Sequence, residues 1–447
     1  MVWWFMDIVA AIATKYALKF ASSRIKHKHT WVLVAYSTAL AGLLLVFNLV
    51  NNILPTAGDI EIYYTYASFM LNGLTPYHDF RVEYPPLALV FFLLPAWVST
   101  WFGTPTLGRF AIVFHTECFM LAVGTLVLVS ATWRLLWPQS RLTVWTWRLG
   151  CYTIGALIIS LYLLQRFDIA AAALTALALW LFYREKPGLT GVVIGVGTLA
   201  KLYPALLLPL LVIYCWQTRH KWAAIIRLAV GFGATCLAVM LPIALLVTPG
   251  SLYGFLEYHA ERGIQTESVF ASFILVGRAL GLTTASISDD HGSLNLTSDW
   301  AKPLASFSTL LTLVGIVVIY WLLWRRLGSA QAKIKIEPDW IMQAAAILIL
   351  WFVLANKVLS PQYLIWLLPF LPFWRGAKVW LYLVALALSF IAFPFLIVGI
   401  THLEPLPYLV LAVRNTLLII IFGGLLSGLL MIHPQRSLPQ ISEVVRV

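Results

Sequence analysis

The stretch GDIEIYYTYASFMLNGLTPYHDFRVEYPPL, from Gly58 to Leu87, sets Asp59, Glu61, Asp79, Arg81 and Glu83 beside His78 and the tyrosines Tyr63, Tyr64, Tyr66, Tyr77 and Tyr84. On both sides the chain is strongly apolar. Only 11% of its 447 residues are charged and 61% are hydrophobic, so this concentration of polar groups reads as an active-site loop held at a membrane surface.

The flanking sequence fixes the class. Soluble chains hold about 45–50% apolar residues, and the apolar runs here repeatedly approach the roughly 20 residues that a helix needs to cross a bilayer core. The expectation is an all-α polytopic membrane protein with no separate soluble domain. Cys118, Cys151, Cys215 and Cys236 all fall inside apolar runs with no CxxC or Cys/His spacing. They read as small buried hydrophobes, neither a disulfide framework nor a zinc site. The net charge of +12 is no sign of nucleic acid, because the basic residues sit in short loops between spans.

About twelve spans are expected by this hydropathy reading, near residues 31–50, 110–136, 149–165, 168–184, 188–200, 204–217, 222–247, 303–325, 340–356, 361–374, 378–399 and 408–432. Several are shorter than a full crossing, as in broken helices that line a cavity. Residues 1–30 read as a cytoplasmic amphipathic N-terminus, with Trp3, Trp4, Phe5, Ile8 and Ile12 at helical spacing before a run of lysines. A single transmembrane domain then covers 31–432, followed by a cytoplasmic tail at 433–447.

With both termini inside, most of the 30 Lys and Arg residues are cytoplasmic; the exceptions are Arg81, Arg109, Arg166, Lys201, Arg262, Arg278, Lys302, Lys357 and Arg414. The segment Pro85–Phe102 is apolar enough to span. Letting it do so would move Arg134, Arg141 and Arg148 outside, so it is read as a juxtamembrane or re-entrant helix with Trp97 and Trp101 at the interface. Two external regions result, 51–108 and 248–302, and they collect most of the acids. Chemistry belongs on that face of a multi-pass membrane protein.

Asp59 follows the first span closely. Such a carboxylate can act as general base on an acceptor hydroxyl or simply cap the following helix. Lys201, in GVGTLAKLYPALLLPLL, is an ammonium in apolar surroundings, which either snorkels or meets an anion. Arg166 and Asp168, in LLQRFDIAAAAL, form a local pair or join the same site. Two further polar patches are YHAERGIQTES, with Tyr258, His259, Glu261, Arg262, Gln265 and Glu267, and ANKVLSPQYLIWLLP, with Asn356, Lys357, Ser360, Gln362 and Tyr363. Their shared side of the membrane favours one cavity. A lipid phosphate leaving group needs positive charge where its own charge develops, which Lys201, Arg262, Arg166 or Lys357 can supply. Tyr63, Tyr64, Tyr66, Tyr77, Tyr84 and Trp97 offer hydrogen bonds and aromatic faces for a sugar. No Gly-rich nucleotide loop, HExxH or GxSxG motif occurs.

At GDIEIYYTYASFMLNGLTPYHDFRVEYPPL, QRFDIAAAALTALALW, GVGTLAKLYPALLLPLL, YHAERGIQTES and KVLSPQYLIWLLP the chain resembles the GT-C superfamily of polytopic glycosyltransferases. It looks most like glycosyltransferase family 87, the polyprenol-phosphate-mannose-dependent α-mannosyltransferases of bacterial envelopes. The resemblance covers about residues 30–430. It implies a GT-C fold with external juxtamembrane helices after the first span and a polyprenyl-phosphate sugar donor entering from the bilayer. By resemblance Asp59 is the general base, and Lys201 and Arg262, with Arg166 and Lys357, are the donor-phosphate ligands. The first loop reads Asp-Ile-Glu, not Asp-X-Asp, so no divalent metal or other cofactor is indicated.

The resulting expectation is an inverting transfer of a hexose, mannose first, from the lipid phosphate to a hydroxyl of a lipid-linked or cell-envelope glycan. Glu61, Tyr63, Tyr84, Asp168, His259, Gln362 and Tyr363 are the expected substrate-binding residues. The partners are donor, glycan acceptor and membrane lipids, with no nucleic acid. A lipid-linked-sugar flippase or transporter, and an oligosaccharide ligase or polymerase with a pyrophosphate donor, are the alternatives.

Overall fold

The computed structural model describes residues 24–51, 59–219, 221–247, 253–290, 292–330 and 337–431. Most of the amphipathic segment 1–30 and the tail 433–447 lie outside the described residues, as does 52–58 just before Asp59.

The chain is helical almost throughout. Helix α1 (Arg24–Asn51) leads into α2 (Asp59–Leu71), a 3₁₀ turn at Pro86–Leu89, α3 (Val90–Thr100) and the long α4 (Leu107–Leu136). A run of short helices follows: α5 (Leu142–Ile158), α6 (Ser160–Gln165), α7 (Asp168–Tyr183), α8 (Pro187–Ala200) and α9 (Leu207–Arg219). After α10 (Trp222–Leu246) come α11 (Gly254–Glu261), strand β1 (Ile264–Gln265), α12 (Val269–Ala279) and strands β2 (Ser286–Asp290) and β3 (Ser293–Thr297). The last third comprises α13 (Ala301–Ala330), α14 (Trp340–Ala355), a 3₁₀ segment at Pro361–Phe373, α15 (Ala377–Phe390), α16 (Ile397–Thr401) and α17 (Pro405–Leu430).

Among the described residues five helical segments are long and apolar enough to cross a membrane: Leu107–Leu136, Trp222–Leu246, Ala301–Gly328, Ala377–Phe395 and Pro405–Leu430. The other expected spans fall on shorter elements. The one near 149–165 is divided at Ile159 between α5 and α6. The one near 361–374 is a 3₁₀ segment, since Pro369 and Pro372 lack the N–H groups an α-helical ladder needs. Its carbonyls find side-chain donors: the Tyr382 hydroxyl bonds Leu364 O, and Gln343 Nε2 bonds Phe373 O at 2.8 Å.

The short helices hollow out one side of the bundle. At 1.5 Å per residue, α7 and α8 are about 24 and 21 Å long, less than the roughly 30 Å of a hydrocarbon core. Helix α7 is buried at every position from Asp168 to Leu181, as expected of a helix apolar all round, and it packs against α4, α8 and the 3₁₀ segment.

Helix α3 is too short to cross and packs on α2 and α4, with Trp97 and Trp101 exposed. One feature was not expected from an all-α reading. Strands β1, β3 and β2 form a small antiparallel sheet, in which Leu296 pairs with Ile264 on one side and Ile287 on the other. Ser293–Thr297 alternates leucine with polar residues, the period of a half-buried strand.

Helices α8 and α10 lie in close backbone contact. A Cβ at Gly191 would stand 2.2 Å from Leu228 O, and one at Gly231 2.3 Å from Gly188 O. Glycine at both positions lets the helices approach as small residues do in membrane bundles. Gly191→Val should therefore destabilise the protein by about 1–3 kcal/mol or more through overpacking, read as a lower thermal unfolding midpoint in detergent. Unchanged stability would show that the contact is looser than described.

Candidate active site

Three interruptions in the helices bring the polar residues together. Helix α6 stops at Gln165, Arg166 is extended (φ −127°, ψ 136°), and α7 opens at Asp168. Helix α8 stops at Ala200, and Lys201 is extended (φ −153°, ψ 136°) ahead of Pro204. Helix α14 stops at Ala355, and residues 356–360 are non-helical before Pro361.

Because α7 and α8 run antiparallel, the start of one meets the end of the other. Lys201 Nζ lies 2.9 Å from Asp168 Oδ1, and the Trp366 indole N–H donates to the same oxygen at 2.7 Å. The carboxylate sits at a helix N-terminus and the ammonium at a C-terminus, so each charge also meets the favourable end of a helix dipole. Asp168 is only 1% exposed. The ammonium also lies 4.6 Å from the Phe167 ring centroid, with Tyr363 and Trp366 within cation–π reach. Trp366 is itself stacked between Tyr203 and Tyr363, each centroid 4.3 Å away.

Arg166 and Asp168, two residues apart, do not pair with each other. Arg166 Nη1 forms its ion pair with Asp59 Oδ2, and the Tyr63 hydroxyl, one helical turn beyond Asp59, donates to that oxygen at 3.3 Å. The extended backbone at Arg166 turns successive side chains apart and delivers them to different partners. Arg166, expected among the donor-phosphate ligands, is thus engaged by a carboxylate at the cavity wall. Tyr63 is fixed from behind by Phe92, stacked at 4.1 Å, with Tyr84 and Phe167 edge-on.

These groups line a cavity of about 1070 Å³. Asp59, Tyr63, Tyr84, Arg166, Asp168, Lys201, His259, Arg262, Lys357, Gln362 and Tyr363 all face it. Glu61 does not: Asp59, Ile62 and Tyr63 share the cavity face of α2, while Glu61 is exposed on another. A substrate-binding Glu61 is therefore corrected. Several tyrosines of the first loop serve the fold instead. Tyr64 donates to Pro105 O at 3.0 Å and Tyr77 to Tyr84 O at 2.6 Å.

The cavity's cations differ in their company. Arg262 and Lys357 have no carboxylate partner among the described residues, and Lys357 Nζ bonds only Ala260 O, at 2.7 Å. Burial first, and then the neighbouring Arg262, lowers the Lys357 ammonium. His259 is pushed down to about 4 by burial and by Arg262, Lys201 and Lys357, which keeps it neutral at physiological pH. No group of three His, Cys, Asp or Glu suited to a metal ion occurs among the described residues.

Glu267 was part of a polar segment but had no role assigned. It is 1% exposed and lines the cavity. Burial pushes its carboxyl up to about 7, against the opposing pull of Arg414 and Arg166. Its main-chain carbonyl is held by Arg414 Nη2 and by Asn415 Nδ2, the latter at 3.2 Å. Arg414 could have signalled this burial, because a guanidinium in PLPYLVLAVRNTLLIIIF requires a polar partner.

A many-helix bundle with a charged, aromatic-walled cavity beside short helices is here that of a membrane glycosyltransferase. Residues 83–336 match the model of glycosyltransferase family 87, over half of the sequence, and the chain belongs to that family. It is also similar to GPI mannosyltransferase 1 of Kluyveromyces lactis, 24% identical over 335 residues, which cover 73% of this chain and 75% of that protein. The family match includes Arg166, Asp168, Lys201, Arg262 and Glu267 and begins after Asp59.

Removing one partner of a buried pair costs about 3–5 kcal/mol because it strands the other charge. Lys201→Ala should therefore lower the thermal unfolding midpoint sharply, and adding Asp168→Asn should restore much of the loss. Equal destabilisation by the single and double variants would argue against the pair. Stability should also vary with pH through two opposed groups. Glu267, whose folded value of about 7 lies above an unfolded value of 4.5, holds a proton in the folded state that the unfolded chain has released, so its contribution falls as pH rises through that window. His259, about 4 when folded and 6.5 when unfolded, contributes the reverse slope. Glu267→Gln removes only the falling slope, so its midpoint should gain on wild type steadily from about pH 4.5 to 7. A constant offset would contradict the Glu267 shift.

Proposed function

We propose that this family 87 glycosyltransferase moves a hexose, mannose first among the candidates, from a polyprenyl-phosphate sugar to a hydroxyl of a lipid-linked or cell-envelope glycan. One observation carries the reading: a carboxylate, Asp59, shares a cavity with cations that lack carboxylate partners, Arg262 and Lys357. Mannose is favoured by the similarity to a protein named as a mannosyltransferase. The asymmetry of basic loops supports an active site on the external face of a plasma membrane, with cytoplasmic termini.

In this mechanism Asp59 is the general base. Both of its contacts among the described residues, with Arg166 and Tyr63, fall on Oδ2, which leaves Oδ1 for the acceptor hydroxyl. The acceptor oxygen bonds to the anomeric carbon as the carbon–oxygen bond to phosphate breaks, and its proton passes to Asp59. Polyprenyl phosphate departs with the bonding electrons, and direct displacement turns a β-linked donor into an α-linked product. Arg262 and Lys357, with Lys201 beside them, stabilise the charge that develops on the phosphate. A guanidinium fork suits that anion well. Tyr84, Tyr363, Gln362 and the neutral His259 supply hydrogen bonds and ring faces to the sugars, and a monophosphate donor needs no metal in this scheme.

The test is transfer from radiolabelled polyprenyl-phosphate-mannose by the full-length protein in lipid vesicles containing extracted envelope lipids. Asp59→Asn should lower turnover about 10²–10⁴-fold, the range for loss of a general base, while donor binding stays intact. Turnover at the wild-type rate would remove Asp59 from the chemistry. Donor crossing the bilayer with no product would favour the flippase, and transfer from a pyrophosphate-linked oligosaccharide alone the ligase. Arg262→Ala should raise the donor KM about tenfold to a hundredfold, as expected for a charged hydrogen bond, and leave the acceptor KM unchanged. A rise confined to the acceptor would place Arg262 elsewhere.

A further inference from the structure

Gln265, Glu267 and Ser360 form a buried polar cluster that the transfer chemistry leaves unused. Gln265 Nε2 bonds Glu267 Oε2 at 3.0 Å and Ser360 Oγ at 2.9 Å, and the Ser360 hydroxyl donates back to Gln265 Oε1 at 3.1 Å. The Ser360 hydroxyl, donor and acceptor at once, steadies the amide, and the Glu267 oxygen that accepts from Nε2 sets which way it faces. The amide in turn fixes one oxygen of the Glu267 carboxyl. The main chain of Glu267 is tied independently, through its carbonyl, to Arg414 and Asn415 on α17.

The other carboxyl oxygen, Oε1, is buried and has no hydrogen-bond partner among the described residues. All three residues of the cluster line the cavity. A buried acceptor without a donor is costly, and such an atom calls for an explanation when its surroundings hold it in place so thoroughly. A ligand donor answers that requirement.

The neighbourhood limits what the ligand group is. A phosphate finds no positive charge on a carboxyl and already has Arg262 and Lys357. An ammonium would enter a cavity in which those two cations are uncompensated. A neutral hydroxyl meets neither obstacle. The backbone N–H of Gln265, at the end of β1, donates to Lys357 O at 3.0 Å, so the cluster is tied to the main chain of one of the phosphate-facing cations. In the donor the transferred sugar is bonded directly to the phosphate, whereas the acceptor is not.

We propose that Glu267 Oε1 accepts a hydrogen bond from a hydroxyl of the transferred sugar, so that the Gln265–Glu267–Ser360 cluster determines which sugar is transferred. The proposal rests on the lipid-phosphate-sugar reading above. A site built to hydrogen-bond a substrate hydroxyl rejects ligands that lack it far more strongly than an apolar pocket rejects a missing methylene. Gln265 and Ser360 are positioning residues here: they aim the carboxyl and do not touch the sugar.

The experiment measures binding to the full-length protein in lipid nanodiscs with two probes, polyprenyl-phosphate-mannose and polyprenyl phosphate without a sugar. Wild type should bind the first more tightly. Glu267→Gln should shrink that preference about threefold to tenfold, as expected for loss of a hydrogen bond, with affinity for bare polyprenyl phosphate unchanged. Ser360→Ala should narrow the preference in the same sense by releasing Gln265, and it carries the test if Glu267→Gln does not fold. A preference unaltered in both folded variants overturns the proposal. Parallel loss of both probes would mark the cluster as purely structural and overturn it too. Wild type that binds neither probe would instead remove the lipid-phosphate reading itself, whereas binding both with a preference independent of Glu267 removes only this inference.

Discussion

The ion pair between Asp168 and Lys201 is the constraint on which the rest of the site depends. A carboxylate this deeply buried needs a countercharge and hydrogen bonds to offset its lost hydration. Lys201 and the Trp366 indole provide both. Their geometry requires α7 to begin where α8 ends, which fixes the depth at which the two short helices stop. It also fixes Arg166, two residues before Asp168, in a backbone conformation that faces it towards α2. The Asp59–Arg166 contact is thus a consequence of how α7 starts, although the two partners lie more than a hundred positions apart.

The cavity's charges divide by whether they are already compensated. Asp59 is matched by Arg166 and Asp168 by Lys201, and these pairs lock helix ends to one another. Arg262 and Lys357 are matched by nothing of opposite sign among the described residues, and a pair of nearby like charges is unfavourable unless an anion joins them. The structural ion pairs therefore lie on the α2, α7 and α8 side, and the unmet positive charge lies on the segment that follows α11 and on the loop after α14. A ligand with an anionic end and a neutral polyhydroxyl end would span that division.

Much of this was legible in the sequence. The expected spans fall on helical structure, although five helical segments among the described residues are long and apolar enough to cross a membrane. The polar patches around Asp59, Arg166, Lys201, Arg262 and Lys357 also converge as expected, since isolated charges in apolar runs have few tolerable places to go. The pairing was not legible. Arg166 and Asp168 are near neighbours of opposite sign, and only the extended backbone between α6 and α7 directs them to separate partners. Glu61 and Glu267 exchange importance for a similar reason. Glu61 is one position off the face that Asp59, Ile62 and Tyr63 present to the cavity. Glu267 looks like ordinary loop polarity in YHAERGIQTES until β1, Ser360 and Arg414 close around it, from positions far along the chain.

That closure bears on how specificity and catalysis are divided. Asp59 projects from a helix whose preceding residues 52–58 are outside the described structure, and it is steadied mainly by Arg166 and Tyr63. Glu267 is held through its main-chain carbonyl by Arg414 and Asn415 of α17 and through one carboxyl oxygen by Gln265, which Ser360 steadies. Recognition of a fixed pattern of hydroxyls demands placement to within a fraction of an ångström, and rigid supporting hydrogen bonds are the means of securing it. A general base must instead accommodate an acceptor that arrives and a product that leaves. Glu267, whose main chain is pinned by Arg414 and Asn415, is therefore suited to reading the sugar in the proposed reaction, and Asp59, whose Oδ1 is left open, is suited to taking the proton.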